Sequence, residues 1–202
     1  NAVVQAKRFK QLFYELECDY AAIDIQGSGA GVYDILTTET YDEVRNVTYP
    51  AWTVVNVDDF KLVNRTLSRN AVPVIYGVRT PPEVLYTMIT NTKNIIDANG
   101  VSLLMDTDDG ISYLNERYKF YEIEDSETRA RLLNSYVQTR VFINEAINLK
   151  QYVQGGYIKL KEKSGRRKDR VMSFIYGLWY AKILEDQLQK PDMSFLDFVQ
   201  FV

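Results

Sequence analysis

Between Lys159 and Arg170 the chain reads KLKEKSGRRKDR, with seven cations and two carboxylates in twelve positions, and then runs directly into the apolar stretch VMSFIYGLWYA. An acid held in such a field stays ionised, because nearby positive charge favours its charged form. An ionised carboxylate beside a surface that binds polyanions can hold a divalent cation against phosphate. Asp169 stands where that would happen, at the start of the apolar run. A second carboxylate, Asp24, closes the apolar segment YAAID and precedes Gly27, Gly29 and Gly31, whose lack of side chains lets a ligand approach the backbone. Two such acids, far apart in sequence, can converge on Mg²⁺ or Mn²⁺, hard ions that prefer oxygen. A pair of these ions roughly 3.5–4 Å apart cleaves phosphodiesters by activating water and stabilising the leaving oxygen, and such a site ordinarily takes a third acid. Each aspartate also has a plainer use. Asp24 can cap the turn or helix after it, and Asp169 can be the N-cap of the last helix.

Composition narrows the chemistry further. The 202 residues include no histidine and one cysteine, Cys18. Histidine triads, imidazole bases, cysteine zinc sites and disulfide frameworks are therefore excluded. Apolar neighbours around Cys18 predict a buried thiol. Net charge is −3 overall, yet residues 159–170 carry +5, which leaves −8 for the remainder. That asymmetry points to one polyanion-binding face, with Lys159, Lys161, Lys163, Arg166, Arg167 and Lys168 as phosphate contacts. A solvated basic turn is the competing reading. No apolar run approaches the ~20 residues needed to span a bilayer, and no signal peptide is visible, so the expected location is the cytoplasm.

The elements that must position these residues follow from periodicity. Helical spacing predicts a helix over 2–16. Residues 20–25 predict a strand, QGSGAG a turn, and VYDILTT a short helix. Further strands are predicted at 52–57, 72–78, 101–106 and 157–163, with Pro73 marking a strand beginning or a sheet edge. Helices are predicted over 83–98, 127–152 and 169–188, the last apolar on most of its circumference and therefore buried. The pattern is α/β: a central sheet flanked by helices, in one domain over 1–190 with a tail at 191–202.

Three other motifs carry less. GSGAG places its third glycine one position early for a dinucleotide fingerprint, and no GxxxxGK[ST] loop is present. Asp106, Asp108 and Asp109 sit in DTDDG, which lacks the rest of a calcium loop and reads as an acidic turn that could lend further ligands. Glu145, inside VFINEAINL, reads as a buried acid paired with a Lys or Arg.

Taken in order, AAIDIQGSGAGVYDIL, PVIYGVRTPPEVLYTMITNTKNIIDANGVSLLMD, VFINEAINLKQ and RRKDRVMSFIYGLWYA resemble the C-terminal nuclease domain of bacteriophage terminase large subunits, over about residues 20–185. The resemblance implies an RNase H-like fold with a central mixed sheet flanked by helices. It implies a two-metal endonuclease that cuts concatemeric double-stranded DNA with Mg²⁺ or Mn²⁺ in the cytoplasm of the infected bacterial host. Portal protein and a small terminase subunit are the implied partners. Asp24 matches the family's later-strand acid and Asp169 its last-helix acid. The first-strand acid has no match, so the chain is expected to begin after that strand and to lack the first strands of the family domain. A catalytically incomplete DNA- or portal-binding module of the packaging motor is the alternative.

Overall fold

The computed structural model describes residues 1–163 and 168–189, apart from the side chain of Ser28. The expected tail at 191–202 and the basic residues Arg166 and Arg167 lie outside the described residues. The protein is mixed α/β, and its residues cluster into two compact units. One comprises Asn1–Val84 with the part of the last helix from Ile175 onward; the other is Leu85–Phe174.

The first unit is built on three parallel strands, β1 (Ala21–Asp24), β4 (Trp52–Val54) and β5 (Val72–Val78), in the order β1-β5-β4. Ala21 pairs with Ile75 and Asp24 with Val78, so Asp24 stands at the carboxyl end of the sheet. β5 is central, and Pro73 is its second residue, so of the two expected placements the strand beginning holds and the edge does not. The register against β4 shifts between Thr53 and Val54, just where proline offers no donor to the ladder. α1 (Ala2–Glu15) opens with Asn1 accepting from the Val3 amide at 2.9 Å. It lays Ala6, Phe9 and Phe13 against Trp52, which is fully buried, with the Phe13 and Trp52 rings 4.7 Å apart. Cys18 follows this helix and is exposed, contrary to the expected burial. The chain has by then left the helix through Glu17 at φ 50°, and the apolar neighbours carry the packing without the thiol.

α2 (Ser28–Leu36) begins four residues earlier than its apolar run suggests and takes Gly29 and Gly31 into the helix. Gly29 is required there. A Cβ at this position would lie 1.7 Å from the Asp24 carbonyl oxygen. A hairpin, β2 (Thr40–Asp42) and β3 (Val47–Tyr49), and a single-turn helix, α3 (Phe60–Val63), complete the connections and had no clear periodic signal.

Lys10 fastens that hairpin at its base. Its ammonium is fully buried, donates to the Thr38 and Pro50 carbonyls at 2.6 and 2.7 Å, and lies over the Trp52 ring. Burial lowers its pKa from 10.5 to about 8, against the smaller opposing pull of Glu39. The sign of the linkage is fixed by which state holds the proton. Below pH 8 both native and unfolded chains are protonated. Between about 8 and 10.5 only the unfolded chain is, so native stability rises with pH across that window. The expected gain is about 2 kcal/mol between pH 8 and 9.5, read from urea midpoints, and Lys10→Met removes it. A wild-type profile parallel to that of the variant contradicts this role.

The second unit is largely helical. α4 (Pro82–Asp97) enters it from the first unit and matches its expected span. The predicted strand at 101–106 is absent: these residues form no regular element, and Leu103, Leu104 and Met105 are exposed. Asp106 instead caps α5 (Thr107–Tyr118), accepting from the Asp108 amide at 3.1 Å. Asp108 and Asp109 lie in its first turn, where the helix dipole favours acids, so DTDDG is a helix start rather than a turn. Gly110 lets the Tyr136 ring of α6 (Ser126–Ile147) approach closely, and Leu114, Phe120 and Tyr136 form the core between them.

α6 stops at Ile147, short of the expected 152, because 149–154 is a strand. β6 (Leu149–Gln154) and β7 (Tyr157–Glu162) form an antiparallel ribbon. Its two-residue turn is Gly155-Gly156, at φ 62° and 82°, the left-handed pair that a type I′ hairpin turn needs. The single mixed sheet expected from sequence is therefore, among the described residues, one parallel sheet and two separate antiparallel ribbons. α7 (Asp169–Gln189) spans both units. Its buried residues are Val171, Ile175, Tyr176 and Tyr180, so it buries a stripe and not its whole circumference. No described helix is long and apolar enough to cross a membrane.

Candidate functional site

In the first unit, Asp24 is half-buried at the end of β1. One carboxylate oxygen accepts from the Gln26 amide at 2.9 Å, closing the turn into α2, so the plainer role as a turn cap is realised by that oxygen. The other faces the Tyr176 hydroxyl of α7 at 3.5 Å. The Gln26 side-chain oxygen accepts from the Thr80 amide at 3.3 Å and from the Thr80 hydroxyl at 2.8 Å. Thr80 lies just beyond β5. Burial first, and then the charge of Asp24, push the Tyr176 pKa up to about 12, so the phenol keeps its proton and donates. Among the described residues no cation pairs with Asp24.

In the second unit, Asp169 is the first residue of α7 and not its N-cap. Glu145 of α6 supplies the capping carboxylate. It accepts from the Arg170 amide at 3.0 Å and from the Arg170 guanidinium at 2.6 Å, the buried acid–arginine pair expected from sequence. Arg170 also donates to Gln138 at 3.1 Å. With the helix end satisfied by Glu145, the exposed Asp169 carboxylate has no partner among the described residues. It lines a cleft of about 700 Å³ with Gln138, Phe142, Arg170 and Phe174.

The expected phosphate contacts divide by register. On the ribbon, Lys150 lies opposite Lys161, Tyr152 opposite Lys159, and Gln154 opposite Tyr157. Side chains alternate across a strand, so these six share one face. It holds three lysines, two tyrosines and no acid. Like charges directly opposite one another repel, and a bound polyanion relieves that cost. Lys159 touches Gln154 at 3.0 Å, and Lys163 touches Asn148 at 3.3 Å. Lys168 is committed differently: it pairs with Glu162 at 3.2 Å and donates to the Leu160 carbonyl, clasping β7. Lys168 is thus a structural contact first, and the sequence reading had no means of seeing the clasp. That reading also missed Lys150 and Tyr176. The Gly-Gly turn flanked by alternating residues was the available signal for Lys150; for Tyr176 none existed, since only the fold brings it to Asp24.

Mg²⁺ or Mn²⁺ fits the donor chemistry of these aspartates, which offer hard oxygens outside any ion pair among the described residues. No group of three or more potential metal ligands gathers among the described residues. A Mg²⁺ site needs none, because one or two carboxylates together with substrate phosphates and water suffice. Comparison with known protein families, curated sequences and solved structures gave no match.

Proposed function

We propose that the chain is the RNase H-like nuclease domain of a viral DNA-packaging terminase large subunit, a divalent-metal-dependent endonuclease acting on concatemeric double-stranded DNA. The observation that carries this reading is the strand-end carboxylate of Asp24. It stands at the carboxyl edge of a parallel sheet, unpaired with any cation among the described residues, with a residue of the last helix against it. That edge is where open α/β sheets place their ligands. The parallel pairing of β1 with β5 and the approach of a last-helix residue to Asp24 support the reading.

In this reading Asp24 and Asp169 would each serve as a metal ligand. The chemistry that Mg²⁺ or Mn²⁺ would supply when bound is activation of water and neutralisation of phosphate charge. The residues do the rest. Asp24 presents an oriented carboxylate, and the Lys150, Lys159 and Lys161 face holds the DNA backbone, aided by Lys163 and, outside the described residues, Arg166 and Arg167. Portal protein and the small terminase subunit are the partners the family reading adds.

The test is nicking of supercoiled plasmid by the full-length gene product. Mn²⁺ supports nicking and EDTA stops it, while salt-sensitive duplex binding persists in EDTA. Duplex binding with no cleavage under any divalent metal overturns the enzyme and leaves the non-catalytic module of the packaging motor.

A further inference from the structure

We infer that Tyr176 is a positioning residue, which fixes the carboxylate of Asp24 for metal through a chain of contacts that runs from Thr80 through Gln26 and Asp24 to Tyr176; this rests on the metal-site reading above. These contacts join three elements that sequence holds far apart: the turn after β1, the end of β5, and α7. Each Asp24 oxygen receives one neutral donor, the Gln26 amide on one side and the Tyr176 hydroxyl on the other. A carboxylate oxygen has two lone pairs. One neutral hydrogen bond per oxygen therefore orients the group and leaves a lone pair on each for a cation. Because both donors are neutral, the full negative charge remains available to the ion, which a lysine or arginine partner would have offset.

Thr80 locks the frame. Its amide and hydroxyl hold the Gln26 side chain, which ties the turn that carries the Gln26 amide to the end of β5. Tyr176 itself is 8% exposed and cannot swing to solvent without opening the packing of α7. The 3.5 Å separation is long for a hydroxyl–carboxylate bond. Catalytic hydrogen bonds are often long in unliganded sites and tighten when the ligand seats. Partners of metal ligands commonly contribute 10–100-fold to metal affinity.

The experiment is a Mn²⁺ titration of the full-length protein, with free Mn²⁺ counted by its EPR signal. Tyr176→Phe retains the ring and its burial and removes one hydroxyl. It is expected to weaken Mn²⁺ binding about 10-fold at unchanged thermal midpoint. Thr80→Val, which reaches Asp24 only through its neighbours, shifts affinity in the same direction. Wild-type Mn²⁺ affinity in both variants, with binding lost in Asp24→Asn, overturns the positioning role and leaves the metal site standing. Wild-type affinity in Asp24→Asn removes the metal site itself, and the positioning role with it.

Discussion

Asp24→Asn is expected to lower Mn²⁺-dependent plasmid nicking by about 10³-fold or more, a loss near 4 kcal/mol of transition-state stabilisation. The change is nearly isosteric. Asparagine still presents an oxygen to the Gln26 amide, which lies 2.9 Å from the native carboxylate, so the turn into α2 closes as before. What disappears is the negative charge, and with it the affinity for a hard divalent cation. Asp169→Asn is expected to match it. Asp169 does not cap its helix, because Glu145 does, so its replacement leaves the end of α7 intact. An unchanged thermal midpoint together with lost cleavage separates chemistry from folding. Wild-type nicking by either variant ends the assignment of that residue.

Gly29→Ala has the largest expected effect on stability. The added methyl would stand 1.7 Å from the Asp24 carbonyl oxygen and 2.9 Å from its carbon, both backbone atoms that cannot rotate aside. Either α2 or the end of β1 has to move, and the expected cost is about 3 kcal/mol or more in urea unfolding. Gly31 is the control on the same helix. Nothing lies within 4 Å of a Cβ there, and its φ is not left-handed. Gly31→Ala is expected to stabilise the fold by about 0.5–1 kcal/mol, the usual gain from replacing a helical glycine. Equal stabilities for the two variants contradict the close approach of α2 to β1. Because the collision is with Asp24, a Gly29 substitution also displaces the candidate ligand; cleavage lost by Gly29→Ala alone therefore says nothing about chemistry.

Long periodic segments were legible in the sequence. α1, α4 and α7 stand within two residues of their apolar patterns, and β5 has the bounds its β-branched run suggests. The errors have physical causes. Gly29 and Gly31 read as turn formers because intrinsic propensity disfavours glycine in helices, and the requirement for close contact with Asp24 overrode it. VSLLMD reads as a strand by composition, but no neighbouring strand takes it up. Its closing aspartate is spent on capping α5. The apolar positions at 147 and 149 continue a helical pattern, and the Gly155-Gly156 turn converts the second of them into a strand.

Of the candidate site, the two aspartates were readable as residue types in unusual settings, and Glu145 as a buried acid. Their surroundings were not. Which carboxylate caps α7, which lysine is held as a clasp, and which phenol faces Asp24 depend on register and helix rotation. The basic run looked uniform in sequence. In the fold, Lys159 and Lys161 join Lys150 on one face of a ribbon while Lys168 turns to Glu162. A count of positive charges could not have made that division.

Crystals of the full-length protein soaked in Mn²⁺ and measured at the manganese edge test the central proposal most directly. The account predicts anomalous density about 2 Å from a carboxylate oxygen of Asp24 and likewise at Asp169. Manganese bound elsewhere, with both carboxylates bare at saturating metal, contradicts it.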